Sequence, residues 1–173
     1  MRHRVFWTCF FLAAAIATAA LIFFFSAQQG PESTAMSDSV TLEVAKVVRP
    51  DYPQLPPVER QSFLEVLSRV VRKSAHFGEF ALLGFNLAAF LRLRRLDKPR
   101  AAAVPWAWLI ATLYAGTDEL HQMLVEARAP AILDVGIDSA GALAGVLTML
   151  LALTLVEKKR GKKGCEARKQ DCK

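Results

Sequence analysis

Apolar and polar positions along this chain alternate in long blocks, not in the short rhythm of a soluble domain. Residues 5–25 run without a single charge, following Arg2 and Arg4. At 1.5 Å per residue that is enough helix to cross about 30 Å of hydrocarbon. Three further apolar runs follow. Residues 75–91 are interrupted by His76, Glu79 and Asn86. Residues 101–117 carry Pro105 in the first turn and Trp106 and Trp108 near one interface, and residues 135–156 are interrupted by Asp138. The pattern predicts an all-α fold, an integral membrane bundle of four transmembrane helices spanning about 5–25, 75–91, 101–117 and 135–156. A cleavable signal peptide is the competing reading of the first run. Its apolar stretch exceeds the roughly 7–15 residues of a signal h-region, so an uncleaved span is expected.

The segment between the first two spans has a different rhythm. Val40, Val44, Val47 and Val48 share one helical face, with Ser37 or Asp38 available as a cap, and "RPDYPQLPP" then breaks the chain. Beyond it Phe63, Val66, Leu67, Val70 and Val71 form a second apolar stripe opposite Glu59, Arg60, Glu65 and Arg69. Two short amphipathic helices are expected in this first outer loop, the second running into span two. They either lie on the membrane surface or pack as a small cap.

Composition agrees with the membrane reading. Of the 173 residues 53% are apolar, above the roughly 45–50% of soluble globular domains. The net charge of +6 raises nucleic acid as a partner. The Lys and Arg clusters, however, flank apolar runs and form no basic face interleaved with aromatics, so nucleic-acid binding is excluded as an expectation. They act instead as orientation signals. Arg2 and Arg4, the group Arg92, Arg94, Arg95, Lys98 and Arg100, and the run "EKKRGKK" all fall on one side of a four-span arrangement. By the positive-inside rule both termini are cytoplasmic, and the loops 26–74 and 118–134 face outward. The chain then divides into a four-span membrane domain, 1–157, and a basic cytoplasmic tail, 158–173. Cys9 lies in an apolar run, and Cys165 and Cys172 sit in the tail without metal-ligand spacing, so none is assigned a function.

In this topology the intramembrane polar residues gather at one depth. "RKSAHFGEF" opens span two, "TDELHQ" closes span three, "ARAPAILDVGID" opens span four, and Ser26, Gln28 and Gln29 end span one. Helical spacing pairs His76 with Glu79, Asp118 with His121 and Gln122, and Asp134 with Asp138. The face below Asp138 continues to Gly141 and Gly145, a small-xxx-small surface suited to close helix packing. A charge at mid-membrane costs about 2.5–3.5 kcal/mol on insertion scales, so such residues face a bundle interior and find partners. One or two ties suffice for bundle cohesion. The larger set points to an outward polar cleft.

The ordered motifs "FSAQQ", "RKSAHFGEFALLG", "TDELHQMLVEAR" and "DVGIDSAGALAG" resemble those of the VanZ-like membrane proteins. The resemblance covers most of the chain outside residues 30–57 and the tail. By carry-over it implies functional positions at Arg72, Lys73, His76, Glu79, Asp118, Glu119, Gln122, Arg128, Asp134 and Asp138. It also implies an accessory role of the teicoplanin-resistance type in the cell envelope, at a bacterial-type cytoplasmic membrane.

Three functions fit these residues. A binding protein would use Arg72, Lys73 and Arg128 against the phosphate or carboxylate of a lipid head group, a lipid-linked wall precursor or a glycopeptide. An intramembrane hydrolase or transferase, metal-assisted or not, would draw catalytic groups from His76, Glu79, Asp118 and Glu119, with His121, Asp134 and Asp138 adding further metal-ligand types. No HExxH or nucleophile motif accompanies them. A transporter is the third reading; four short spans hold no obvious internal repeat, so it would need to work as an oligomer. The sequence identifies neither a cofactor nor a metal.

Overall fold

In the computed structural model the backbone of residues 2–27, 31–94, 99–126 and 132–171 is described, with side chains described for 2–26, 39–94, 99, 101–123, 132–156 and 158. The described chain is entirely helical: α1 (Arg2–Ala27), α2 (Pro31–Val48), α3 (Pro57–Arg94), α4 (Val104–Glu126) and α5 (Ile132–Asp171), with short 3-10 turns at Tyr52–Gln54 and Arg100–Ala103. Prolines mark the breaks. Pro50, Pro53, Pro56 and Pro57 interrupt the path from α2 to α3, and α3 starts with Pro57 where a missing N–H costs nothing. Arg60 N–H donates to the Pro56 carbonyl at 2.9 Å and closes the first turn.

Among the described residues three helices are long and apolar enough to cross a membrane: Arg2–Ser26, Pro57–Arg94 and Ile132–Val156. The expected third span lies in α4 and falls short of that measure. Its Trp, Tyr and Thr residues and the Asp118–Glu119 pair dilute an otherwise aliphatic sequence. The expected second amphipathic helix and span two are one unbroken helix of 38 residues. At 1.5 Å per residue that is about 57 Å, nearly twice the hydrocarbon thickness.

The N-terminal half of α3 packs against α2. Ala45, Tyr52 and Leu55 are buried against Phe63, Leu64 and Leu67. Arg60 Nη2 donates to the Pro53 and Leu55 carbonyls, each at 3.2 Å, and its guanidinium lies 6.0 Å from the Tyr52 ring. The buried face of α2 is thus Thr41 and Ala45; of the expected stripe of Val40, Val44, Val47 and Val48, only Val44 is half-buried and the other three point outward. Small residues win the interface because they let two helices approach more closely than valines would.

The main bundle inverts the soluble arrangement, with small side chains inside and large apolar ones outside. Ala15, Ala107, Ala111, Ala115 and Ala142 are buried around Phe80, Ile22 and Val146, while Phe6, Phe10, Ile16, Leu109, Leu113 and Leu151 are exposed. In lipid no hydrophobic force drives helices together, so close backbone packing of small residues takes its place. The α3–α5 contact is the extreme case. A Cβ at Gly84 would collide with the backbone of Ala142, one at Gly141 with Phe77, and one at Gly145 with Ala81. The "GALAG" segment is therefore a packing surface. At the end of the bundle where α1 begins, Arg4 Nε and Nη2 donate to the Leu93 carbonyl at 3.1 and 2.8 Å. This caps an orphan carbonyl of α3 and ties the first basic cluster to the second.

Candidate functional site

Each inward stripe ends in a polar residue at the same end of the bundle, opposite Arg4. In α1 the buried positions run Ala15, Thr18, Ile22, Ser26. In α4 they run Ala107, Ala111, Ala115, Asp118, and in α5 Asp138 precedes Ala142, Val146 and Met149. Spacings of three and four keep each series on one helical face, so the fold that buries the alanines buries the carboxylates as well. In α3 His76 lies one turn before the fully buried Phe80.

Asp118 is the centre. It is 3% exposed, and its Oδ2 accepts from Ser26 Oγ and from Gln122 Nε2, both at 2.9 Å. Gln122 Nε2 also lies 3.3 Å from Ser26 Oγ, closing a three-residue network across α1 and α4. The other carboxylate oxygen, Oδ1, is buried without a hydrogen-bond partner. His76 presents Nδ1 to Glu79 Oε2 at 3.8 Å, an ion-pair distance too long for a hydrogen bond. Asp138 is 7% exposed. One ligand atom each from His76, Asp118 and Asp138 lies within 4.8 Å of the other two.

Around this centre the expected residues separate. Lys73 pairs with Asp134 one turn away, at a half-exposed position. Arg72 is exposed, and Glu119 is half-buried. Arg128 lies outside the described residues, as do Gln28 and Gln29. Glu79 and Gln122 join the cluster. His121 sits beside Asp118 as its spacing suggests, with no hydrogen bond between the two side chains among the described residues. Its ring stacks on Phe23 of α1 at 4.3 Å, and its Nε2 is buried without a partner. Two features differ from the expectation of converging helix ends. α4 continues from Asp118 to Glu126, and α5 begins at Ile132, ahead of Asp138. The cluster is held inside helices, not on loops.

Ser26 belongs to the site as well, beyond the positions that the family resemblance implies. The signal was present, since Ser26 follows Ile22 by one turn on a buried stripe. A second polar seam went unnoticed. Trp108 Nε1 donates to the Ser139 carbonyl and hydroxyl at 3.2 and 3.0 Å, Thr112 and Ser139 hydroxyls lie 2.9 Å apart, and Tyr114 Oη donates to the Ala19 carbonyl at 2.6 Å. These bonds lock α4 to α5 and to α1 just below the cluster.

A family model described as VanZ/LLP1 matches residues 11–153. No curated protein and no solved structure matches the chain. The matched stretch contains His76, Glu79, Asp118, Gln122, Asp134 and Asp138, together with Gly84, Gly141 and Gly145 of the packing seam. With a match over most of its length and three helices fit to cross a membrane, the chain belongs to the VanZ/LLP1 family and is a VanZ-like membrane protein.

Proposed function

We propose that the chain is a four-span protein of a bacterial-type cytoplasmic membrane whose polar cluster faces outward and binds an anionic head group. The ligand class comprises a lipid, a lipid-linked wall precursor or a glycopeptide, the last following the resistance role attached to the family. The observation that supports a site here is the meeting of Ser26, His76, Glu79, Asp118, Gln122 and Asp138, from four helices, at one level of the bundle, while the charge that attracts an anion would come from Arg72 and Arg128. α4 serves as the fourth span. Its alanine stripe faces the bundle while Trp106, Leu109, Ile110 and Leu113 are exposed, the distribution of a lipid-facing helix. The basic groups at Arg4, Arg92 and Arg94 lie at the opposite end, which supports a cytoplasmic side for both termini by the positive-inside rule. The exposed valines of α2 and α3 then lie near the outer membrane surface.

Arg72 and Arg128 supply the forked donors that suit phosphate or carboxylate. Mass spectrometry of lipids retained by the purified protein tests the reading. Arg72→Ala or Arg128→Ala is expected to weaken retention by about 1.5–3 kcal/mol, the range for charge-assisted hydrogen bonds. Unchanged lipid content in both variants, with normal insertion, would refute it.

The alternative reading is an intramembrane hydrolase or transferase acting on a lipid-linked substrate. The proximity of His76 Nδ1 to Glu79 Oε2 favours it, because that pair is equipped to move a proton. Turnover of a labelled lipid-linked pyrophosphate that is lost in His76→Ala, with the protein still inserted, would select it over binding alone.

A further inference from the structure

We propose that His76, Asp118 and Asp138 form a binding site for one divalent metal ion, Zn2+ or Mn2+, inside the helix bundle. The inference goes beyond the head-group reading and does not depend on it. The three residues come from three helices, α3, α4 and α5, and no local motif connects them. Their ligand atoms nevertheless converge within 4.8 Å. Metal–ligand distances of about 2.0–2.2 Å place donor atoms about 3.4 Å apart around a tetrahedral ion, so each side chain need close by less than about 1 Å.

Burial makes the convergence significant. Asp118 and Asp138 are 3% and 7% exposed, and neither carboxylate is ion-paired to a Lys or Arg among the described residues. Lys73 is engaged with Asp134. Asp118 also carries a feature that packing alone does not explain. Ser26 and Gln122 both donate to Oδ2, fixing the carboxylate, while Oδ1 is buried with no donor. An unsatisfied buried acceptor costs about 1–3 kcal/mol, and a charged one more. A cation would satisfy Oδ1 and compensate both carboxylates at once.

His76 fits the same arrangement. Its Nδ1 is buried without a hydrogen bond and faces Glu79 Oε2 at 3.8 Å. Metal-binding imidazoles commonly hand one ring N–H to a carboxylate while the other nitrogen ligates. Closing that gap by about 1 Å would let Glu79 accept the Nδ1 proton and orient His76 while Nε2 ligates. One imidazole and two carboxylates suit Zn2+ or Mn2+, and three protein ligands leave a coordination position for water or a ligand oxygen.

The test uses the full chain purified in detergent, stripped with a chelator and titrated with ZnCl2 or MnCl2 alone. One equivalent per chain is expected after gel filtration. His76→Gln, Asp118→Asn and Asp138→Asn should each lower affinity at least tenfold, with Asp51→Asn, remote from the cluster and paired with Arg49, unchanged. Uptake below about a tenth of an equivalent by the unmutated chain overturns the proposal, as does undiminished affinity in the three variants. Should those variants fail to insert, X-ray absorption at the bound metal of a chain carrying His3→Ala and His121→Ala reads the ligands directly. One imidazole with oxygen neighbours supports the assignment. Oxygen alone overturns it.

Discussion

Ser26, the last buried residue of the α1 stripe, donates its hydroxyl to Asp118 Oδ2 of α4 across 2.9 Å in a fully enclosed setting. The two residues lie 92 positions apart, and their bond ties the first span to the polar centre. Ser26→Ala should remove one of two donors to that oxygen and destabilise the protein by about 1–3 kcal/mol, the range for a bond to a charged group. Ser26→Thr should recover part of the loss. Thermal unfolding in detergent checks this, and a Ser26→Ala melting curve identical to the parent would show that Gln122 alone suffices.

The α3–α5 seam sets a second expectation. Gly145→Ala places a methyl group against the Ala81 backbone, which cannot retreat without separating the helices. A cost of about 1–3 kcal/mol is expected, as for overpacking of a filled core. Gly136→Ala meets open space inside a helix and should stabilise the protein by about 0.5–1 kcal/mol. Equal melting temperatures for the two variants would contradict the packing described.

Lys73 and Asp134 form an ion pair at a half-exposed position. Solvent screening limits its worth, so a double-mutant cycle with Lys73→Ala and Asp134→Ala should return about 0.2–1 kcal/mol. A coupling several times larger would mean that the pair is shielded by the bilayer or by a ligand.

The proposed orientation is open to direct measurement. In a chain whose three cysteines are replaced by serine, Ala35→Cys should react with an impermeant maleimide added to intact cells, and Asp97→Cys should react only after lysis. Labelling of position 97 from outside would reverse the topology and place the polar cluster on the cytoplasmic side.

Much of this molecule is legible in its sequence, for reasons of length and period. A 20-residue uncharged run needs no tertiary context to be apolar enough for a membrane, and the i,i+4 glycines of "GALAG" announce a close helix contact whatever the partner. The level of the polar residues follows from the same periodicity. So does the pairing of Asp118 with Gln122, which is local to one helix.

Other features depended on how the helices rotate against each other. Residues 57–94 form a single helix because an amphipathic surface segment and a membrane segment share one backbone state, and no residue between Val71 and Ala75 interrupts it. His121 stacks on the Phe23 ring, since only packing against α1 brings that aromatic surface within reach. Val40, Val47 and Val48 of α2 face outward, and Ala45 packs against Phe63 and Leu67 in their place. The sequence by itself determined which positions are polar and at what depth they lie, because hydropathy and helical period are properties of a single strand of chain. Only the tertiary structure decided that Ser26 would hold Asp118 and that His76, Asp118 and Asp138 would converge. Those relations depend on the relative rotation of separate helices, which is set by the close packing of Gly84, Gly141 and Gly145 and of the alanine stripe of α4.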